Sequence, residues 1–345
     1  MTKERQRLVI ASISQVNTLV RKFRLEPTDE GQQLASFYAG QYLTLFYQIN
    51  GTTTSRPYSI ASSPKDAEAG FYELYIHGSG SFTAAWLFAF GKVGMIVEAS
   101  MPEGDFYYLP GRDRRKVIGI SGGMSVTPLR SFARAVMDGT LDLDLTLFCG
   151  WDRFNDLLYY DEFSAYCAQS PRFRSVFVLA QEEREGFESG FVSLDMIRRY
   201  VEPSDASFFL CGPPGMYETL KHALAPLRIP ADCYHCELPG EVKFGAPGTE
   251  QLLPHCSYSL TVHRSGKVDT VPMRGDETVL VSLERAGLYP EARCRSGHCG
   301  YCGAELLSGR VFVPARWQES VRTGKSPEKL HPCCSFPLSD LEISI

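Results

Sequence analysis

Several absences in the sequence narrow the possible functions before any motif is considered. No run of about 18 apolar residues occurs, and a membrane-crossing helix needs that length. The 35 basic and 40 acidic residues form no dense basic cluster of the kind that a nucleic-acid surface requires. There is no internal repeat and no low-complexity tract. We therefore expect no membrane insertion and no nucleic-acid partner.

The N-terminal residues also lack the apolar core of a signal peptide, because the segment from Met1 to Arg7 is charged. The chain has eleven cysteines, an odd number that favours metal ligation or free thiols over disulfides in a reducing compartment. Together these features predict a cytoplasmic protein that uses some of its cysteines as metal ligands.

A chain of 345 residues is too long for one hydrophobic core, and its patterns indicate three domains. Residues 1–112 show short β runs between turns rich in Gly, Ser and Pro, which predicts an antiparallel β-barrel. Residues 113–237 alternate buried strands with helical stretches, which predicts an α/β domain with a parallel sheet. Residues 238–255 carry three glycines and three prolines and indicate a linker. Residues 256–345 form a third, α+β domain.

The most specific motif is a cysteine loop in the third domain. Cys294, Cys299 and Cys302 are spaced C-x4-C-x2-C, and Cys333 follows further along the chain. This is the spacing of plant-type ferredoxins. Four thiolates complete the tetrahedral sulfur shell of two irons that share two sulfides. The spacing therefore predicts a [2Fe-2S] cluster held by Cys294, Cys299 and Cys302, with Cys333 as the candidate for the fourth ligand.

Other metal sites fit the cysteine loop less well. A [4Fe-4S] site favours C-x2-C-x2-C, and a Rieske centre needs two histidine ligands. A zinc site that combined Cys233 and Cys236 with Cys299 and Cys302 would leave Cys294 unused. Zinc, or thiols without a metal, is the less favoured alternative.

A second motif lies on a predicted strand and suits a flavin. Alternation places Arg56 and Tyr58 on one face, where a guanidinium can bind phosphate and a ring can stack on the isoalloxazine. Ser59 can hydrogen-bond the flavin N5 that receives hydride. Downstream, a glycine-containing turn opens the apolar helix Ala84 to Phe90, and such a helix N-terminus binds anions. Taken alone, these residue types are also common on barrel strands. The candidate flavin residues are Arg56, Pro57, Tyr58, Ser59, Gly80, Ser81, Phe82 and Thr83.

Two further motifs stand at strand ends in the second domain. The strand Val117 to Ser121 leads into a glycine pair and a helix, which predicts a pyrophosphate site on the helix N-terminus. Glycines also serve any tight turn, so this motif alone is weak. The strand Phe208 to Cys211 ends in a similar turn. The candidate residues in these two turns are Gly122, Gly123, Thr127, Pro128, Cys211, Gly212, Pro213 and Met216.

Taken in order, these segments resemble the ferredoxin-NADP reductase superfamily, specifically oxygenase reductases with a fused C-terminal ferredoxin domain. The strand motif resembles R-x-Y-S, the residues Gly80 to Thr83 resemble G-x-x-S/T, and Cys211 to Met216 resemble C-G-P-x-x-M. The resemblance implies FAD, a nicotinamide nucleotide and a [2Fe-2S] cluster, and it places Cys211 beside the hydride path. FMN is the alternative flavin, because members with this domain order include FMN enzymes.

The resemblance also refines individual positions. In that family the last cluster ligand precedes a proline by four residues, which selects Cys333 over Cys334. Asp152 stands where the family often has arginine, and a carboxylate there would accept a ribose hydroxyl and repel a 2'-phosphate, which favours NADH. The neighbouring Arg153 could reverse that preference, and both could be solvated surface charges. Glu237 matches a position near the flavin, with a solvated carboxylate as the alternative.

The combined interpretation is an NADH-dependent reductase that passes electrons from FAD to [2Fe-2S] and then to a partner protein. The two residues expected to act on the hydride are Ser59 and Cys211. The resemblance implies an oxygenase component as the partner. The alternatives are a reductase of a non-oxygenase metalloprotein in an anaerobe, and a non-catalytic electron-transfer subunit of a partner dehydrogenase. The intact Cys211 segment argues against the last alternative.

Overall fold

The computed structural model describes residues 5–29, 31–49, 52–78, 82–237, 252, 255–288, 290, 292, 295, 297, 300–314 and 329–345. The chain divides into two compact units. The first joins Met1–Leu45 with Tyr58–Leu238, so it contains the predicted nucleotide domain and the predicted flavin domain except residues 46–57. The second joins Phe46–Pro57 with Pro239–Ile345.

The N-terminal third of the chain forms an antiparallel six-stranded sheet with the order β4-β3-β6-β1-β2-β5. Its apolar residues alternate along the strands, so that Leu8, Phe23 and Leu74 are fully buried in its core. Helix α1 (Pro64–Glu68) begins at a capping box made by Ser63, and helix α2 spans Phe82–Phe90. The strands are β1 (Arg5–Asn17), β2 (Val20–Pro27), β3 (Tyr42–Ile49), β4 (Thr52–Ser59), β5 (Tyr72–His77) and β6 (Ile96–Ser100).

The middle of the chain forms a six-stranded parallel sheet with the order β10-β9-β8-β7-β11-β12. Parallel strands place all their carboxyl ends at one edge, and the strand order reverses beside β7, where ligands of such sheets bind. The strands are β7 (Lys116–Gly122), β8 (Asp144–Trp151), β9 (Phe173–Leu179), β10 (Glu188–Ser189), β11 (Ser207–Cys211) and β12 (Tyr234–Cys236). The helices are α3 (Thr127–Met137), α4 (Tyr160–Gln169), α5 (Leu194–Tyr200) and α6 (Pro214–Leu224).

The C-terminal part forms a mixed five-stranded sheet, β14-β13-β19-β15-β17, and a two-stranded sheet, β16-β18. Helix α7 (Val279–Arg285) packs Leu283 against Leu260 and Ile343 of the larger sheet. Strands β13 and β19 are parallel, and the remaining pairs of the larger sheet are antiparallel. The strands are β13 (Ser257–Arg264), β14 (Lys267–Arg274), β15 (Ala304–Ser308), β16 (Val311–Phe312), β17 (Lys329–Leu330), β18 (Phe336–Pro337) and β19 (Leu341–Ser344).

These sheets confirm the predicted fold class, with antiparallel, parallel α/β and α+β parts in that order. Among the helices of the described residues, none is long and apolar enough to cross a bilayer.

Candidate functional site

Two glycines lie side by side at the carboxyl edge of the parallel sheet. Gly122 ends β7, and Gly212 follows β11. A Cβ on Gly122 would lie 2.7 Å from Pro213 Cδ, and a Cβ on Gly212 would lie 2.4 Å from Met216 Cε and 3.3 Å from the Gly122 nitrogen. A Cβ on Gly122 would overlap the Pro213 ring, and one on Gly212 would crowd Met216 and the Gly122 backbone, so the two turns pack closely against each other. The structure thus brings the two predicted nucleotide motifs together.

The first of these turns leads into a helix that can receive a phosphate group. Gly123, at φ +59°, begins a 3-10 turn that ends at Val126, and α3 then starts at Thr127 with Pro128 in its first turn. The Thr127 hydroxyl donates to the Met124 carbonyl over 2.9 Å. The turn that precedes this helix carries backbone N–H groups of the kind that suit a pyrophosphate. The binding roles of these residues remain predictions.

Cys211 ends β11 with a fully buried side chain. Its thiol donates weakly to the Ile120 carbonyl, with 3.9 Å between sulfur and oxygen. Burial raises the pKa of this thiol well above its usual value, and the nearby Glu237 carboxylate adds to the effect. The side chain is therefore a neutral thiol at physiological pH, suited to contact rather than to nucleophilic attack.

Ser59, at the end of the flavin strand β4, is hydrogen-bonded to Glu237, which directly follows β12. The Ser59 hydroxyl donates to Glu237 Oε1 over 3.2 Å. The Glu237 N–H donates to the Leu210 carbonyl over 2.8 Å, so the β11 end fixes its backbone. Residues of the flavin strand and of the nucleotide sheet therefore meet at the strand ends that also carry Cys211.

A tyrosine braces the same arrangement from helix α6. The Tyr217 hydroxyl donates to the Glu237 carbonyl and accepts the Gly212 N–H over 3.0 Å. One hydroxyl thus joins the turn after β11 to the residue after β12. No sequence motif indicated a role for Tyr217, because both of its partners are backbone groups brought close only by the sheet order.

The Glu237 carboxyl is half-buried, and burial raises its pKa to about 7, although the Ser59 hydrogen bond opposes the shift. At neutral pH this group therefore exists in both protonation states. It can accept a hydrogen bond from Ser59 when ionised and donate one when protonated.

Glu237→Gln is expected to raise the free energy of unfolding relative to wild type above pH 7 and not below pH 4.5. The folded-state pKa of about 7 exceeds the ordinary value of 4.5, so Glu237 opposes folding increasingly as pH rises between these values. The difference should reach on the order of 3 kcal/mol at pH 8, at about 1.36 kcal/mol per pKa unit. Denaturant unfolding of both proteins at pH 4.5 and pH 8 measures it, with the exposed Glu183→Gln as control. A stability difference that does not change with pH would contradict the raised pKa.

The other predicted flavin residues are only partly described. Arg56 and Pro57 are half-buried, Tyr58 is buried, and Thr83 is buried near the start of α2. Gly80 and Ser81 lie outside the described residues, and only the backbone of Phe82 is described. The contacts of these residues with a flavin therefore remain predictions.

Asp152 is exposed beyond the end of β8, and its carbonyl accepts the Gln181 N–H over 3.0 Å. The Glu182 carboxylate accepts the Phe154 N–H over 3.0 Å, which places Glu182 beside the segment that follows Asp152. The Arg184 guanidinium lies 3.5 Å from the centre of the Phe154 ring and 3.6 Å from Glu182. Sequence reasoning missed Glu182, although an acidic pair directly after a buried strand was a signal that could have found it.

Two of the four predicted cluster ligands are described. Cys302 and Cys333 are 2% and 1% exposed, and the Gly297 N–H donates to Cys333 Sγ over 3.2 Å. Hydrogen bonds with Cys333 lower the pKa of Cys302 to about 6, against burial, and His331 adds to the effect. A backbone N–H directed at sulfur suits a thiolate ligand of an iron–sulfur cluster. Cys294 and Cys299 lie outside the described residues.

A buried arginine anchors the cysteine loop within the second compact unit. Arg295 is 3% exposed, and its guanidinium binds both carboxylate oxygens of Glu284 over 2.6 Å each. It also donates to the Ser55 carbonyl over 3.3 Å, and the Ser55 hydroxyl donates to the Ala292 carbonyl over 2.7 Å. The strand that carries the flavin motif is therefore bonded to the cluster loop at the residue before Arg56. In the sequence Arg295 is one of the residues between Cys294 and Cys299, and no role was predicted for it.

Three family models match consecutive parts of the chain. The oxidoreductase FAD-binding domain matches residues 7–108, the oxidoreductase NAD-binding domain matches residues 120–222, and the 2Fe-2S iron-sulfur cluster binding domain matches residues 262–338. FAD, a nicotinamide nucleotide and a [2Fe-2S] cluster are thus the cofactors that the domains match, as predicted.

Individual proteins resemble the chain over different extents. A flavohemoprotein of Xylella fastidiosa is 28% identical over 237 residues, which is 68% of this chain but 59% of that protein. The glycine betaine monooxygenase reductase subunit of Chromohalobacter salexigens is 25% identical over 327 residues, 89% of this chain and 87% of its own length. A solved phthalate dioxygenase reductase superposes with a TM-score of 0.73 at 20% identity, covering 99% of this chain and 98% of its own.

The phthalate dioxygenase reductase structure is described as modular, for electron transfer from pyridine nucleotides to [2Fe-2S]. The similarity in fold extends over the whole chain, so its three parts follow one another in the same order as in that protein. With FAD-binding, NAD-binding and 2Fe-2S domains in this order, the chain belongs to the ferredoxin-NADP reductase superfamily, in the group with a C-terminal [2Fe-2S] domain.

Proposed function

We propose that the chain is an NADH-dependent reductase that passes electrons through FAD and [2Fe-2S] to a partner oxygenase component. The flavin domain comprises residues 1–112, the nucleotide domain 113–237, the linker 238–255 and the ferredoxin domain 256–345. When bound, FAD supplies a group that accepts hydride and releases single electrons, and the cluster accepts one electron at a time.

The observation that carries the proposal is the hydrogen bond between Ser59 and Glu237 beside the end of β11. It joins the flavin strand to the sheet edge where Gly122, Gly212 and Cys211 lie. A flavin against β4 and a nicotinamide against this edge would face each other. The structure offers the neutral thiol of Cys211 and the Ser59 hydroxyl at this place, so the residues orient the reactants rather than exchange protons with them.

The residues that would hold each group follow from the same arrangement. Arg56, Tyr58 and Thr83 would hold the flavin, and the turn at Gly122 and Gly123 would hold the nucleotide pyrophosphate. The half-buried Ser59 would face the flavin N5. The proposed cluster ligands are Cys294, Cys299, Cys302 and Cys333.

NADH is the proposed donor because two carboxylates lie beside the expected ribose position. Asp152 directly follows β8, and Glu182 is bonded to the segment after Asp152. Anaerobic titration with NADH should bleach the flavin and cluster absorbance, and NADPH should do so far less efficiently. Failure of both nucleotides to bleach the protein would refute the proposed activity.

Asp152→Asn is expected to raise the ratio of NADPH to NADH efficiency about fivefold, because a like-charge contact near 4 Å in water costs about 1 kcal/mol. Asp156→Asn removes the same charge four residues later and should leave the ratio within about twofold. Steady-state kcat/KM for both nucleotides measures the ratio. An equal change in both variants would assign the effect to net charge rather than to Asp152.

An oxygenase component is the proposed acceptor because the matched relatives of full length include monooxygenase and dioxygenase reductases. NADH-driven reduction of a purified Rieske oxygenase component, monitored by the loss of its visible absorbance, tests this part. A cytoplasmic location is part of the proposal, since buried free thiols such as Cys149 and Cys211 suit a reducing compartment.

A further inference from the structure

Helix α3 carries a buried arginine that neither nucleotide motif includes. Arg130 is 4% exposed, and its Nε donates to Glu162 over 2.7 Å. One terminal nitrogen donates to Glu73 over 2.8 Å and to the Ala61 carbonyl over 2.9 Å. A guanidinium with this many fixed partners has one orientation, because its planar fork matches them together.

The bond to Ala61 matters because of where Ala61 lies in the chain. It stands two residues after Ser59, at the end of the flavin motif, and its N–H donates to the Glu73 carbonyl over 2.8 Å. The next helix residue, Ser131, donates its hydroxyl to the Ser62 carbonyl over 2.6 Å. Helix α3 therefore holds two consecutive carbonyls that follow the flavin strand.

The other end of the same helix begins at the nucleotide turn. Arg130 lies three positions after Thr127, the first residue of the helix, and the turn Gly123–Val126 directly precedes that residue. Since a helix is stiff over this length, movement of the flavin strand end relative to the nucleotide turn must strain the Arg130 contacts.

The charges around Arg130 balance within the first compact unit. Burial would raise the pKa of Glu73 and of Glu162, but Arg130, together with Lys22 for Glu73 and with Tyr166 and Arg134 for Glu162, outweighs burial, so both pKa values are lowered. Lys22 also binds Glu73 over 3.2 Å. Arg134 binds Asp66 over 2.8 Å and Glu162 over 3.4 Å. Three cations thus face three carboxylates, and the cluster stays ionised while buried.

We propose that Arg130 is a positioning residue for hydride transfer, which ties the nucleotide-binding helix to the flavin strand and so sets the distance between nicotinamide and flavin. In this role Arg130 contacts neither the nicotinamide nor the flavin. The inference rests on the proposed function, because it concerns the rate of flavin reduction by NADH.

The test compares Arg130→Lys with Arg134→Lys on the same helix. Lysine keeps the charge but loses the fork that reaches two carboxylates and the Ala61 carbonyl. Arg134 is the matched control, since within the described residues its bonds go to Asp66 and Glu162 and not to residues 59–62. Anaerobic stopped-flow at varied NADH concentration separates the limiting rate constant of flavin reduction from the dissociation constant. Hydrogen exchange of residues 59–62 gives a readout that is independent of activity.

In Arg130→Lys the limiting rate constant should fall at least about tenfold, since a displacement near 1 Å can cost about 100-fold. The NADH dissociation constant should stay within about threefold, because the nucleotide contacts are intact. Exchange of residues 59–62 should accelerate, and Arg134→Lys should show neither effect. A limiting rate within twofold of wild type, or unchanged exchange, would overturn the inference.

Should Arg130→Lys fail to fold, Ser131→Ala decides the question, because it removes only the hydroxyl bond to Ser62. A smaller fall in the limiting rate with faster exchange supports the inference, and an unchanged rate overturns it. Wild-type protein that neither NADH nor NADPH reduces would instead refute the proposed function and this inference together. Normal wild-type reduction with unaffected variants refutes the inference alone.

Discussion

Cys333→Ser should yield a protein whose flavin is still reduced by NADH but which no longer holds a [2Fe-2S] cluster. The thiol of Cys333 is 1% exposed and accepts the Gly297 N–H over 3.2 Å, as a ligand thiolate would. Reduction of a one-electron protein acceptor should fall at least about 100-fold, since even residues that only orient metal ligands contribute about 10- to 100-fold. Iron content, the visible spectrum and electron paramagnetic resonance of the dithionite-reduced protein measure the cluster.

Cys334→Ser is the matched control, because it changes the adjacent residue in the same way. The Cys334 thiol is buried and donates to the His331 carbonyl over 3.6 Å, a bond that a serine hydroxyl can also make. Iron content and acceptor reduction should therefore stay within about twofold of wild type. The reverse pattern, with cluster loss only in Cys334→Ser, would make Cys334 the fourth ligand.

The fold could be predicted from the sequence because its signals are local. The apolar run Phe208 to Cys211 predicted a buried strand, and the structure has a strand at Ser207–Cys211. The predicted helix Ala84 to Phe90 corresponds to Phe82–Phe90. Periodicity and turn residues act over about ten positions, and that range suffices for strands, helices and fold class. It does not determine which strands are neighbours.

The sequence indicates candidate site residues only where the chemistry is contiguous along the chain. The cysteine spacing and the turns after β7 and β11 are short motifs, so they could be recognised directly. The bond between Ser59 and Glu237 joins residues 178 positions apart and depends on the sheet order. The sequence therefore left two interpretations of Glu237 open, a residue near the flavin and a solvated carboxylate. Its raised pKa depends on burial, which no sequence pattern reveals.

The buried ion pairs were missed for a related reason. Arg130 lies on an amphipathic helix, and Arg295 lies in a cysteine loop, and both positions are usually solvated. Each is buried only because carboxylates from distant segments, Glu73 for one and Glu284 for the other, neutralise it. Charge patterning along the chain cannot reveal pairs that the tertiary fold assembles.

Ser59→Ala should lower the limiting rate constant of flavin reduction by NADH about 100-fold, the effect of removing one well-placed hydrogen-bond donor at a reacting atom. The hydroxyl stands at the end of β4, 3.2 Å from Glu237 Oε1, and its proton is available to the flavin when the protonated Glu237 carboxyl donates to it instead. Alanine removes this hydroxyl, and the half-buried Glu237 carboxyl loses its hydrogen bond with Ser59. The NADH dissociation constant should change little, because the nucleotide turn is distant in the chain and unaltered.

Ser59→Thr separates the hydroxyl from the shape of the side chain. Threonine keeps the donor and suits a strand, so its limiting rate constant should stay within about tenfold of wild type. Anaerobic stopped-flow at the flavin absorbance maximum measures both variants, and their flavin content is determined first. If alanine and threonine slow the reaction equally, packing at this position and not the hydroxyl governs the rate. If alanine has no effect, Ser59 lies away from the hydride path, and the bond to Glu237 serves only to join the strand to the sheet edge.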